Sequence, residues 1–258
     1  MQLLSSFHRG RRRGLAIAVG VAVLAVAVAL VLVSRGVPDP RAGATVRRPT
    51  GSPAPSSAGS TVVATLHHDV PRYPRPGAGS DGVAPGRWYG RPSMLPVIAR
   101  KPGWVRVRLA QRPNGSTTWL RARDVSLGST PYRLVVDLGD THLRLYERGR
   151  LALSVPAGVG APDDPTPAGH FFVAFDQAPP PGEPGYGPFI VVTSAHSEVI
   201  SDWAGSGDAV VGIHGPLGED GRIGTGGARI SHGCIRLHDR SLRRLRQVPP
   251  GTPIDVVR

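Results

Sequence analysis

The one cysteine among the 258 residues, Cys234, stands in the stretch RISHGCIRLHD, residues 229–239. A lone thiol cannot close an internal disulfide, so it serves as a packed small side chain, a metal ligand or a nucleophile. Nucleophilic use needs help, because a free thiol has a pKa of about 8.5 and is mostly protonated at neutral pH. Three imidazoles are within reach in sequence: His232, His238 and His214, the last closing the apolar stretch AVVGIH, residues 209–214. His214 is the better candidate base, since His232 is too close in sequence to bring its ring in line with the thiol. Gly233 allows a substrate to approach the backbone, and the N–H groups around His232, Gly233 and Cys234 suit an oxyanion. Arg236 shares the Cys234 side of an extended segment and suits a substrate carboxylate. The 16 residues between His214 and Ser231 include six glycines, and a long loop of that kind is more often functional than idle. By type alone, His214, His232, Cys234 and His238 are also a zinc set, but their spacing matches no paired Cys-x-x-Cys pattern.

His214, the sixteen-residue gap and Ser231-His232-Gly233-Cys234 together resemble the signature of the L,D-transpeptidase catalytic domain family (YkuD-type). The stretch PDDPTPAGHFFV, residues 162–173, resembles that family's Thr-Pro-x-Gly turn, and PPGTPIDVV, residues 249–257, its closing strand. The resemblance covers about residues 130–258 and departs at one position, Arg236, where many members carry asparagine. It implies a cysteine acyltransferase of the bacterial cell wall, acting on peptidoglycan stem peptides without a cofactor or a metal. Cys234 would attack the peptide bond after the third residue of a donor tetrapeptide and release D-Ala. Transfer to the side-chain amine of a second stem would give a 3→3 crosslink. His214 would move the protons, oriented by the Gly215 carbonyl, while Ser231, His232, Gly233 and Arg236 line the oxyanion and substrate site. The same resemblance implies acylation of Cys234 by carbapenems. Water as acceptor would make the enzyme an L,D-carboxypeptidase. A non-catalytic wall-binding module is the remaining alternative, and the intact His214 and Cys234 pair argues against it.

The elements that must hold these residues read as mostly β. Gly (34) and Pro (27) are plentiful, and these favour turns and short strands over long helices. YRLVVDL and HLRLYER flank Gly139-Asp140 as a hairpin, and RLALSVPAG, HFFVAF, PFIVVTS and AVVGIH read as further strands. One helix is expected over DRSLRRLRQV, capped by Asp239, with Leu242, Leu245 and Val248 on one face. These patterns make residues 128–258 a mostly β domain with one C-terminal helix, and the resemblance implies that it is an L,D-transpeptidase-type β-sandwich. His196 and His238 are expected at the surface or at a helix end.

Ahead of it, GWVRVRL (103–109) alternates with period two, and PNGS (113–116) is a turn signal. Residues 62–127 thus read as a small β-barrel-like domain resembling Src-homology-3-like modules. The net charge of +13 is uneven: residues 1–48 carry +7, 62–127 carry +8 and 128–258 carry −2. The basic middle segment shows no nucleic-acid motif, so the partner expected for it is an anionic wall polymer, or it is a spacer. Residues 34–61 are a Pro, Ser, Gly and Ala-rich linker. The 19 apolar residues 15–33 span ~28 Å as a helix, close to a bilayer's hydrocarbon core. Following the basic cytoplasmic segment 1–14, they read as an uncleaved transmembrane anchor with the rest of the chain on the cell-wall side. A cleavable signal peptide, with a shorter apolar region, is the rival reading.

Overall fold

Two β-sheets share one structural wall in a computed structural model that describes residues 59–203 and 205–258. The apolar run 15–33 and most of the linker lie outside the described residues. Among the described residues no helix is long and apolar enough to cross a membrane.

The larger sheet has eight strands in the order Arg150–Pro156, His142–Glu147, Tyr132–Asp137, Pro253–Val257, Gly169–Gln177, Ile190–His196, Val210–His214, Ile235–Arg236. Most neighbours run antiparallel. Pro253–Val257 pairs parallel with Tyr132–Asp137, and Ile235–Arg236 pairs parallel with Val210–His214. The hairpin read from the sequence is present, with Val136 opposite Leu143 and Leu134 opposite Leu145. All four side chains enter the main core, Leu143 and Leu145 on either side of the outward Arg144 and Leu134 and Val136 on either side of the half-buried Val135. The smaller sheet is antiparallel and runs as an open path: Thr117–Arg121, Trp104–Arg108, Arg91–Lys101, Thr61–Leu66, Ser126–Thr130.

HFFVAF and PFIVVTS are continuous apolar runs rather than alternating ones, and the reason is burial on both faces. Phe171 and Val173 point into the main core, beside Val191 and Ala195. Phe172, Ala174 and Phe175 point the other way, with Ile190 and Val192, into a second core completed by Leu66, Leu95, Val105 and Leu120 of the smaller sheet. The smaller sheet therefore has no closed core of its own, and the described residues behave as one compact unit.

The helix occupies only Asp239–Arg243 and continues as a 3-10 turn over Arg244–Gln247. Leu242, Leu245 and Val248 are buried as the periodicity requires. Asp239 is not the cap expected of it. His238 takes the N-cap position without a side-chain capping bond, and Asp239 falls in the first turn.

Because Phe172 fills the shared core, Phe172→Ala should cost about 3–5 kcal/mol, the range for deleting a buried aromatic. Chemical denaturation of full-length protein should show one cooperative transition shifted as a whole. Two transitions, with only one displaced, would mean the sheets unfold separately.

Candidate active site

The site is built on the short parallel pair that places Ile213 beside Ile235 and His214 beside Arg236. Both isoleucines are buried, and they anchor the strands that carry His214 and follow Cys234. The Gly212 N–H points at the thiol and donates to Cys234 Sγ at 3.4 Å. A side chain at 212 would meet Ile190 Cγ2 at 3.2 Å and the His214 ring at 3.7 Å. Glycine at this point keeps the space beside sulfur and imidazole open. Neither it nor its role was legible from the motif.

The His232-Gly233 turn is tied from two sides. Ser231 Oγ donates to the Cys234 carbonyl at 2.5 Å and accepts the Gly233 N–H at 3.2 Å. Thr166 Oγ1 donates to the Gly233 carbonyl at 2.8 Å and accepts the Gly160 N–H at 2.9 Å. This gives PDDPTPAGHFFV a physical role: it bolts the nucleophile turn to the neighbouring loop. Gly233 has φ +109°, a conformation that a side chain resists. A Cβ at Gly160 would sit 2.3 Å from the Asp164 carbonyl and the Thr166 amide, so no residue but glycine fits there.

His214 is buried, and its Nδ1–H donates to the Gly215 carbonyl at 2.8 Å, which leaves the Nε2 lone pair free to take a proton. Tyr186 packs on the ring at 4.8 Å between centroids. Gly215 lies against the turn at 185–187, with no room for a Cβ beside the Gly187 amide, and donates its N–H to the Tyr186 carbonyl. Burial drives the His214 pKa down to about 4, the Gly215 bond opposing and Arg236 assisting. Burial likewise pushes the Cys234 thiol up, with the Gly212 N–H and Arg236 opposing. Both groups therefore rest neutral at neutral pH. Arg236 lines the same cavity with its Nε buried and without a partner, and makes no ion pair among the described residues. It is the cation of this site.

His214, Cys234, Ser231, His232 and Arg236 all line a cavity of about 490 Å³. The other histidines diverge from a common metal position. His232 is exposed, 3.8 Å from Asp164 and with its ring centre 5.4 Å from that of Trp203 at a tilt of 46°, whereas His238 faces Asp220 at 2.7 Å. His196 corrects the expectation of a surface residue: it is 1% exposed, because it closes the join between the two sheets. Its Nδ1 lies 2.8 Å from Asp208 without the alignment of a hydrogen bond.

That join bears on the site. Ser197, Ile200, Trp203, Ser206 and Asp208 form part of the cavity wall. Arg112, from the smaller sheet's loop, donates to Asp208 Oδ1 at 2.9 Å and to the carbonyls of Ser197 and Ile200 at 2.8 and 3.1 Å. Asn114 exchanges two hydrogen bonds with the His196 backbone, as a strand neighbour would. Burial would raise the Asp208 carboxyl, but the adjacent His196 ring and the hydrogen bonds from the Ala209 N–H and Arg112 hold it below the usual range. Tyr89, from the turn at the foot of the smaller sheet, also lines the cavity. The smaller sheet thus contributes to the wall of the site rather than only spacing it.

Residues 131–256 match the profile of the YkuD family, described as the L,D-transpeptidase catalytic domain. That part of the chain belongs to this family. The YkuD protein of Bacillus licheniformis is 34% identical over 127 residues, covering 49% of this chain and 66% of that one. Its Bacillus subtilis counterpart is 28% identical over 129 residues, covering 50% and 67%. Among solved structures, an Enterococcus faecium L,D-transpeptidase variant is 28% identical with TM-score 0.33, covering 48% of this chain and 49% of that one. A Mycobacterium smegmatis L,D-transpeptidase is 21% identical with TM-score 0.37, covering 60% and 91%. The chain thus spans about two thirds of the Bacillus relatives and about half of the Enterococcus protein.

Two outcomes check this geometry. Alkylation of Cys234 by iodoacetamide should accelerate with pH beyond the ordinary thiol value of about 8.5, because both members of the pair rest neutral. A plateau already reached near pH 5 would instead mark a resting thiolate–imidazolium pair. Arg112→Ala should lower kcat/KM for acylation ~10-fold by loosening the wall, within the cost known for small misplacements. Arg112→Lys should recover only part, since one ammonium cannot reach three acceptors in fixed directions. Unchanged acylation in a folded Arg112→Ala protein would separate the wall from the chemistry.

Proposed function

We propose that this chain is a peptidoglycan L,D-transpeptidase that forms 3→3 crosslinks through a thioester on Cys234. The observation that carries the reading is that a thiol and an imidazole, held in the neutral state by burial, line one cavity built on a parallel strand pair, together with a cation that makes no ion pair among the described residues. A neutral pair favours proton transfer in step with attack. His214 Nε2 takes the thiol proton while Sγ bonds to the carbonyl carbon of the donor's third residue. The carbonyl oxygen becomes an oxyanion. The Gly233 N–H is already engaged by Ser231, so the His232 and Cys234 N–H groups are the donors proposed to receive it. Collapse breaks the C–N bond, and the imidazolium gives its proton to the departing D-Ala amine. The acceptor amine then attacks the thioester, loses a proton to His214 and leaves the thiol restored. Arg236, held beside the sulfur, suits the terminal carboxylate of the donor stem.

L,D-carboxypeptidase activity differs only in the acceptor, water for amine, and the apolar and aromatic part of the wall, Tyr186, Trp203 and Ile200, favours exclusion of water. Residues 15–33 would anchor the enzyme in the cytoplasmic membrane with this site on the wall side.

Mass spectrometry of full-length protein incubated with a disaccharide tetrapeptide should show crosslinked dimer in excess over tripeptide. Tripeptide alone would make the enzyme a carboxypeptidase. Cys234→Ala should abolish both products while remaining folded. His214→Ala should slow the reaction ~10²–10⁴-fold, the range for a general acid–base group, and His232→Ala less. The reverse ranking would reassign the base. A carbapenem should add once per chain, on Cys234, and a chelator should leave activity unchanged. Activity lost to chelation without an adduct would move the chemistry to a metal.

A further inference from the structure

A second cavity, of about 450 Å³, lies where the smaller sheet meets the outer strands of the larger one. It shares no lining residue with the catalytic cavity. Its floor is the polar face of strands whose other face is the main core. Tyr146 stands opposite Arg133, and His170 opposite Asp255. Four arginines line it: Arg108 from the smaller sheet, and Arg133, Arg148 and Arg150 from the larger. Asp255 is the one carboxylate among the lining residues, and it is already committed. It accepts from Arg133 at 2.5 Å and lies 2.5 Å from His170 Nδ1. Arg148 leans on its neighbour Glu147 at 3.3 Å. Arg108 and Arg150 make no ion pair among the described residues. Burial acts against the Arg108 charge, Asp255 supports it, and Arg106 opposes it, with a net lowering of its pKa. A bound anion would relieve that penalty.

We propose that this cleft binds an anionic glycan, its phosphate or carboxylate groups held by Arg108 and Arg150 and a sugar ring against Tyr146. Arginine forks suit both anions, and tyrosines offer a flat apolar face with a polar edge to a sugar. The choice of a glycan over another polyanion rests on the reading of the chain as a wall enzyme. The cleft adds a place to hold the strand that is being crosslinked, remote from the thiol. The +8 charge of residues 62–127 then has a focus rather than acting as a diffuse surface.

The test uses full-length protein and three probes of equal charge: an oligomer of glucose units joined by phosphodiesters, an oligogalacturonate and a single-stranded oligothymidylate. Calorimetry should give saturable one-to-one binding to one or both glycans, weakened by salt. Preference between the first two assigns phosphate or carboxylate. Arg108→Gln with Arg150→Gln should weaken binding ~10-fold or more, as expected for two lost charge-assisted contacts. Arg150→Gln alone, at an exposed position, keeps the test readable should the double variant misfold. Arg222→Gln with Arg240→Gln, equally basic but outside the cleft, should change nothing. Cys234→Ala should bind as the wild type does, so binding and catalysis can fail independently. No saturable binding, equal losses in the control variant, or preference for the oligothymidylate would each overturn the proposal.

Discussion

The parallel pairing of Val210–His214 with Ile235–Arg236 is the constraint from which the site follows. Two rungs suffice because Ile213 and Ile235 are sealed in the main core and cannot slip without turning every neighbour to the wrong face. That register brings strand residue 214 and turn residue 234 to one cavity, although 19 residues separate them in the chain. The Gly-rich loop between them is thereby relieved of positioning duty. Ser231 and Thr166 complete the task by fixing the turn that exposes the sulfur.

The same burial that fixes the geometry sets the charge state. Desolvation acts on the thiol and the imidazole in opposite senses on the pKa scale but to one end, since each loses its ionised form. Arg236 lowers both pKa values, which aids the thiolate and hinders the imidazolium. An ion pair between the two is thus disfavoured until a substrate carbonyl takes up the negative charge. In the proposed reaction this arrangement would keep the thiol quiet toward adventitious oxidants and responsive to a bound acyl donor.

Much of this was legible in the sequence, and the part that was not has a common cause. The spacing from His214 to Cys234, the hairpin at Gly139-Asp140 and the buried face of Leu242, Leu245 and Val248 are local patterns, and local patterns survive in one dimension. Gly212, Tyr186, Trp203 and Arg112 act through neighbours distant in the chain, so nothing beside them marks their role. His196 was misread for the same reason: the loop that buries it begins some 80 residues earlier, at Arg112 and Asn114. Asp239 shows a different failure. The chain supplied a capping residue type one position too late. The sequence does carry one signal of the join between the two sheets: HFFVAF and PFIVVTS lack the alternation of one-sided strands, and continuous runs of that length mean two covered faces.

The Gly212 amide gives the sulfur a witness. Its N–H donates directly to Cys234 Sγ, and that sulfur is a strong acceptor as thiolate, a weaker one as thiol and weaker still as thioester. The amide proton of a single glycine therefore carries the chemical state of the nucleophile in its resonance frequency. In a protein with 34 glycines, one such signal moving on the proposed acylation would follow the covalent cycle without any label on the substrate.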